Sequence, residues 1–171
     1  MSPQLLFGVS VVFSFVAWGV VTRQYIWPAL RSRGREDALR PILVLHIFRF
    51  VGLAFLVPGV VSPDLPLAFA RPVAYGDLAA AILALLAFLT LRSGMGTALV
   101  WAFNLLGTAD LLNAFYQGNR TVIGTAPGLQ GAAYFLPILG VPLLLITHGL
   151  VFRILFRRRA AAVSAREQKA A

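Results

Sequence analysis

The stretch PILVLHIFRFVGLAFLVPGVV, residues 41–61, decides the fold of this chain. Apart from His46 and Arg49 it holds only apolar side chains, glycine and proline, and its length matches the ~20 residues that a helix needs to cross a membrane. We therefore predict a transmembrane helix here. An imidazole and a permanent cation one helical turn apart are costly in lipid, so we expect both side chains to face a bundle interior or a cavity.

Four further segments have similar length and similar hydropathy: residues 4–21, 73–91, 96–116 and 131–152. Hydrophobic residues make up 59% of the 171 residues and charged residues 12%, which is more apolar surface than a soluble core of this size could hide. We predict an all-α integral membrane protein in which five transmembrane helices form one bundle. Residues 1–156 are expected to form this domain, followed by a basic, alanine-rich cytoplasmic tail at 157–171.

The basic residues predict the orientation of the chain, because cytoplasmic segments carry an excess of Lys and Arg. With the N-terminus outside and the C-terminus inside, only Arg71 and Arg120 lie outside, and Arg49 lies within the membrane. A bacterial inner membrane is the expected location, and the net charge of +9 is explained by topology instead of by nucleic acid. The residues expected on the cytoplasmic side are Arg23, Arg31, Arg33, Arg35, Arg40, Arg92, Arg153, Arg157, Arg158, Arg159, Arg166 and Lys169.

The connections are predicted from their composition. Residues 23–40 are expected to lie along the membrane surface with Ile26, Trp27 and Leu30 towards lipid. Residues 62–72 contain three prolines and are expected to be extended. Pro137 and Pro142 should kink the fifth helix, and the alanine-rich tail should fray.

Polar residues inside the predicted spans are the candidates for function. Counting the helix rise of ~1.5 Å per residue from the basic boundaries places His46 and His148 at one level and both Asp77 and Asp110 nearer the outer surface. Helical side chains lean towards their own N-terminus, so Asp110 is the expected partner of Arg49 and Asp77 leans away. A structural alternative for Asp77 is a carboxylate near the start of its helix, where it would interact with the unpaired amides and the positive end of the helix.

The function that uses most of these groups is binding of an anionic or amphiphilic small molecule or lipid in an intramembrane cavity. Arg49 would bind the ligand, or would form a purely structural salt bridge with Asp110. A transport role is conceivable, although a carrier of this size would need a homodimer. The polar neighbours expected around the ligand are His46, Asn104, Asp110, Asn113 and His148.

Two other functions fit the sequence. His46 and His148 at one depth could ligate haem b as a pair of imidazoles, in an electron carrier. Alternatively, small residues in the spans could pack against a larger membrane complex, of which this chain would be an accessory or assembly subunit. We expect no cofactor and no catalysis, because the chain contains no cysteine and no motif of a known intramembrane nucleophile or metalloprotease.

Overall fold

A computed structural model describes residues 1–120 and 126–170 of the chain, with side chains as far as Arg157. Within these residues the chain is helical and forms no β-strand, and five helices are long and apolar enough to cross a membrane. The predicted all-α chain with five membrane-length helices is therefore confirmed. The helices are α1 (Pro3–Arg31), α2 (Arg35–Leu56), α3 (Leu67–Leu89), α4 (Gly96–Gly118) and α5 (Leu136–Arg157).

Ser2 caps the N-terminus of helix α1, and its side chain accepts a hydrogen bond from Leu5 N at 3.3 Å. The helix continues through a π-helical turn at Thr22–Ile26 as far as Arg31, so residues 23–31 extend the first helix and the connection is shorter than residues 23–40. Helix formation up to Arg31 places Leu30 in the interior, 5% exposed, where the sequence had placed it towards lipid. Trp27 and Ile26 pack against the same core, so this extension is stabilised by burial.

Helix α3 begins earlier than predicted. Phe69 N and Ala70 N both bond to the carbonyl of Pro66, and Phe69 packs edge-on against Phe55, with ring centroids 5.8 Å apart. Residues 67–72 are therefore helical, and Leu65 N bonds to the carbonyl of Ser62 at 3.1 Å in a turn, so the prediction of an extended segment over 62–72 is wrong. The burial of the Phe69 ring outweighs the hydrogen bond that Pro72 cannot donate inside the helix.

The start of α5 is distorted, as its prolines predict. Residues Leu136–Gly140 form a π-helical turn, and Trp18 Nε1 of α1 donates to the carbonyl of Leu139 at 3.0 Å. Neighbouring side chains commonly satisfy carbonyls in this way near membrane prolines. Beyond Arg157 the backbone stays helical to Ala170, whereas the side chains of the predicted tail lie outside the described residues.

The four helices α2 to α5 form a closed ring of neighbours, α2 on α3, α3 on α4, α4 on α5 and α5 on α2. Helix α1 packs on the outside of this ring, against α5, and is the least buried of the five. Buried alanines of α3, such as Ala74, Ala84 and Ala87, let neighbouring helices approach closely. The interior of the ring is where the polar residues meet.

The two ends of the bundle differ. At one end, residues 31–38 and 154–157 lie together, and Arg92 of the α3–α4 connection reaches Glu36 and Asp37 at 3.9 Å. At the other end, Ala132 N donates to the carbonyl of Val60 and Ser62 N to that of Leu129. Gly131 has a positive φ of +52°, and a Cβ atom there would overlap the carbonyl oxygen of Val60, so both its backbone conformation and its surroundings require glycine. These contacts put alternate connections at opposite ends, as five antiparallel spans require.

Candidate functional site

A change of helix type within α2 positions Arg49. The helix is α-helical over Arg35–Ile47 and becomes a 3-10 helix over Phe48–Leu56. With three residues per turn, residues at i, i+3 and i+6 lie above one another. The buried residues of this segment are Arg49, Gly52 and Phe55, so one column faces the bundle interior while Phe48, Phe50 and Val51 are exposed.

All three guanidinium nitrogens of Arg49 are engaged. Nε donates to Asp77 Oδ1 at 2.8 Å, Nη2 to Asp110 Oδ2 at 2.5 Å, and Nη1 to the carbonyl of Gly107 at 3.2 Å. The Arg49 side chain is 0% exposed, against 16% for Asp77 and 21% for Asp110. The predicted pair of Arg49 and Asp110 is present, but it belongs to a cluster of one cation and two carboxylates, which we call the Asp77–Arg49–Asp110 cluster.

Asp77 corrects the sequence interpretation. Helix α3 begins at Leu67, so Asp77 lies well inside the helix and does not meet unpaired amides at its N-terminus. The lean of the side chain along its helix was argued to point Asp77 away from Arg49. The 3-10 column of α2 and a glycine facing α3 instead let Arg49 reach it. Side-chain direction alone did not account for how closely the two backbones approach.

Three glycines leave the space that the cluster fills. A Cβ atom on Gly52 would overlap Asp77, and one on Gly76 would overlap Asp110. A Cβ on Gly107 would lie 2.7 Å from His148 Cε1 and 2.9 Å from Arg49 Nη1. Helices α2, α3 and α4 therefore each lack a side chain where a charged group lies against them.

The two histidines lie side by side next to this cluster. Their ring centroids are 4.3 Å apart, which confirms that they share one level, and Phe103 packs against both. His46 Nε2 and Thr147 Oγ1 share a hydrogen bond of 2.9 Å, and Thr147 Oγ1 also lies 2.9 Å from the carbonyl oxygen of Leu143. His148 Nδ1 bonds to Asn104 Oδ1 at 2.7 Å. The remaining nitrogen of each ring has no protein partner within the described residues.

The rings of His46 and His148 contact each other directly, which bears on haem binding. A metal ion ligated by imidazole nitrogens at about 2.0 Å on each side would hold the rings farther apart, with a macrocycle between them. Here Phe103 fills the space beside both rings, so axial ligation by this pair would require them to separate. In the described part of the chain, no group of three or more His, Cys, Asp or Glu is placed to hold a metal ion.

Asn104 and Asn113 have different surroundings. Asn104 is fully buried and bonds His148, as expected for an interior polar residue. Asn113 is exposed on α4 and does not line the cavities described below. Three residues along α4 correspond to a rotation of roughly 60° around the helix, so of Asp110 and Asn113 only Asp110 faces the ring interior.

Two cavities adjoin the Asp77–Arg49–Asp110 cluster. The first, of about 50 Å³, is bordered by Asp77 and Asp110 and walled by apolar side chains that include Phe55, Phe69 and Leu111. The second, of about 240 Å³, opens between α2 and α5 and is lined by Arg49 and Asp77 together with apolar residues. The cluster therefore forms a polar floor beside apolar walls.

Gln130 is a site residue that the sequence did not single out. It belongs to a 3-10 helix, Pro127–Tyr134, that covers the end of the first cavity, and it is 1% exposed. Its Nε2 has no protein hydrogen-bond partner among the residues that the structure describes. Residue 130 lay at the edge of a predicted loop, where a glutamine is ordinarily solvated, so no pattern marked it. A buried amide donor thus faces the same cavity as two carboxylates.

The comparison with known families assigns the chain to one. The family described as Domain of unknown function (DUF8737) matches residues 6–156, and the chain belongs to this family. The matched range contains the Asp77–Arg49–Asp110 cluster, the histidine pair and Gln130. No curated protein and no solved structure matches the chain.

Proposed function

We propose that this protein binds an amphiphilic small molecule or lipid inside the bundle, with the ligand's polar group at the Asp77–Arg49–Asp110 cluster and its apolar part between the helices. The proposal rests on four polar groups that lie together beside apolar cavities. They are the two carboxylates, the buried guanidinium of Arg49 and the buried amide of Gln130, whose Nε2 has no partner among the described residues. Buried charged groups in membrane spans are rare and commonly functional. A structural salt bridge alone would need only one of the two carboxylates.

The charges of the cluster favour a ligand with a positively charged or hydrogen-donating group. All nitrogens of Arg49 are already engaged, so an anionic ligand would have to compete with Asp77 and Asp110 for it. Two carboxylates against one guanidinium leave an excess negative charge when both are ionised, which a bound ammonium group would offset. Gln130 Nε2 offers a donor to an acceptor atom elsewhere on the same ligand.

We propose further that the helices form a bundle in a bacterial inner membrane with the N-terminus outside. The end of the bundle that carries residues 31–38, Arg92 and Arg157 is the basic end, which fits the cytoplasmic side. The exposed side chains of α1, such as Leu5, Phe13 and Val16, are apolar and fit contact with lipid. In this orientation the first cavity lies towards the outer half of the membrane.

Binding of two probes of equal chain length tests the proposal. Decylammonium and decanoate differ in head-group charge, and each is titrated against the full-length protein in nanodiscs of zwitterionic lipid, with empty nanodiscs subtracted. We expect the protein to bind decylammonium in preference. Asp110→Asn should weaken this binding roughly tenfold or more, because a hydrogen bond to a charged group contributes about 1.5–3 kcal/mol.

Asp37→Asn is the matched control, since it removes one carboxylate near Arg92 at the far end of the bundle. It should leave decylammonium binding unchanged, whereas Asp110→Asn should also raise decanoate binding by releasing part of the guanidinium. Tighter binding of decanoate than of decylammonium by the unaltered protein would reject the proposed charge preference. Equal loss in Asp37→Asn and Asp110→Asn would reject the site.

A further inference from the structure

A second charged pocket lies at the basic end of the bundle, away from the Asp77–Arg49–Asp110 cluster. It has a volume of about 230 Å³ and forms where α1 ends, α2 begins and α5 passes both. Four of its lining residues are arginines, namely Arg31, Arg33, Arg35 and Arg157. They come from two segments that are far apart in sequence, so the fold itself gathers them.

The pocket carries an excess of positive charge. Among the described residues that line it, four are arginines and none is acidic. Glu36 and Asp37 follow directly in α2, 3.9 Å from Arg92 of the α3–α4 connection, and Asp37 Oδ2 also lies 3.9 Å from where a Cβ on Gly34 would be. Four positive charges against these two negative ones leave a local excess of two, which a bound anion would offset.

One of the four arginines is held in place by an aromatic ring. Arg157 Cζ lies 5.3 Å from the ring centroid of Trp27, and Arg153 Cζ lies 4.1 Å from the same ring. Cation–π contacts of this length orient a guanidinium while leaving its N–H donors available to an acceptor. Trp27 thus joins the end of α1 to α5 and positions Arg157 at the pocket.

The floor of the pocket is apolar, which favours a lipid phosphate over a soluble anion. Leu30, Ala38 and Ile154 line it beneath the arginines, and all three are buried. The pocket therefore lies at the boundary between the apolar spans and the basic connections. A lipid head group occupies this boundary in a bilayer, with its phosphate level with the arginines and its chains beside the helices. The pocket volume of about 230 Å³ leaves room for a phosphate with its ester oxygens.

We propose that this pocket binds the phosphate group of an anionic phospholipid. Arginine forks match phosphate oxygens with paired hydrogen bonds, and two segments supplying such forks can hold one phosphate from opposite sides. The site shares no residue with the intramembrane cavities, so it is independent of the proposed function. It would tie the connection between α1 and α2 to the end of α5 through a lipid.

Native mass spectrometry of the full-length protein, released from micelles with defined lipids, tests this site. The lipids are phosphatidylglycerol and phosphatidylcholine, which both carry a phosphate but differ in net charge. We expect phosphatidylglycerol to bind in preference. The double variant Arg31→Gln/Arg157→Gln should reduce this preference by at least about fivefold, since each arginine near an anionic lipid contributes to its attraction.

Arg23→Gln is the control, because it removes an exposed arginine of α1 that does not line the pocket. It should change phosphatidylglycerol binding by less than twofold if the pocket acts as a site. An equal loss in Arg23→Gln would mean attraction by overall charge and would overturn the proposal, as would full retention of binding in the double variant. A third arm adds millimolar inorganic phosphate. Its displacement of phosphatidylglycerol would identify a soluble phosphate as the ligand and overturn the lipid assignment. The exchanged side chains are exposed, so each variant should remain folded, and only the double variant should unfold at a slightly lower temperature, because it loses the contact of Arg157 with Trp27.

Discussion

At the scale of single residues, Gly107 sets how closely α4 approaches the charged interior. Its carbonyl accepts from Arg49 Nη1, and the space where its side chain would be is taken by Arg49 and the His148 ring. A methyl group there would have to displace a ring that Asn104 and Phe103 hold in place. The glycine is therefore part of the site without contributing a side chain.

Gly107→Ala should destabilise the protein by about 1–3 kcal/mol, the cost of overfilling a packed interior. The measurement is the midpoint of thermal or denaturant unfolding of the detergent-solubilised protein. Gly149→Ala on α5 is the control, since a Cβ there meets nothing within 4 Å. Because alanine is the better helix former, that control should be neutral or slightly stabilising. Equal destabilisation by both substitutions would contradict the packing argument.

Arg49→Leu should destabilise the protein by about 3–5 kcal/mol, because removing one partner of a buried ion pair leaves charge without compensation. The lower end is expected, since Asp77 and Asp110 retain 16% and 21% exposure. The triple variant Arg49→Leu/Asp77→Asn/Asp110→Asn removes all three charges and should recover much of the loss. The measurement is the unfolding midpoint of the unaltered protein, Arg49→Leu and the triple variant. A triple variant no more stable than Arg49→Leu would show that the charges do not compensate one another.

At the scale of helices, α2 shows why its charged residue could be found from the sequence while its neighbours could not. The apolar run around Arg49 predicts a membrane helix by length alone. The 3-10 segment depends on which side of α2 is covered by α3 and α5, and no local pattern contains that information. As a result, Gly52 and Phe55 fall on the interior face with Arg49, where an ideal α-helix would have turned other residues inwards.

The two halves of α2 should differ in the period of their lipid exposure. With single spin labels placed along residues 38–56, oxygen accessibility in nanodiscs is expected to reach minima at 49, 52 and 55, one every three residues. Over 38–46 the minima should follow the α-helical period, near 38, 39, 42, 43 and 46. A period of 3.6 residues maintained through residue 56 would contradict the 3-10 helix, and the first half serves as the internal control.

At the scale of the whole molecule, the sequence predicts the membrane-length helices and the depth of the polar residues along them. It does not predict the contacts that form between helices. Five apolar segments and the level shared by His46 and His148 follow from counting along helices, and the pairing of Arg49 with Asp110 follows from the lean of helical side chains. The role of Asp77 and the buried donor of Gln130 depend on glycine gaps and on a covering segment from another part of the chain. These are tertiary facts, and a periodicity argument cannot contain them.

The orientation of the bundle is the last property that the charge distribution predicts. Residues 31–38, Arg92 and Arg157 lie at one end of the structure. Basic residues from several connections are therefore concentrated at this end, and together they favour placing it on the cytoplasmic side. In bacterial cells, green fluorescent protein fused after residue 171 should fluoresce, and alkaline phosphatase joined at the N-terminus behind a signal sequence should be active.

Insertions in the two connections that flank α4 provide the control for these fusions. Alkaline phosphatase inserted after Ser93, next to the basic end, should be inactive, whereas its insertion after Asn119 should be active. Activity on both sides of α4 would contradict a fixed orientation, and both termini on one side would contradict five spans. Replacing Arg31, Arg33 and Arg35 with glutamine should lower the fraction of molecules inserted in this orientation, because the charge excess near the first two helices carries most of the bias. If that fraction does not change while Arg153 and Arg157 are intact, then the basic end of α5 is sufficient to orient the chain.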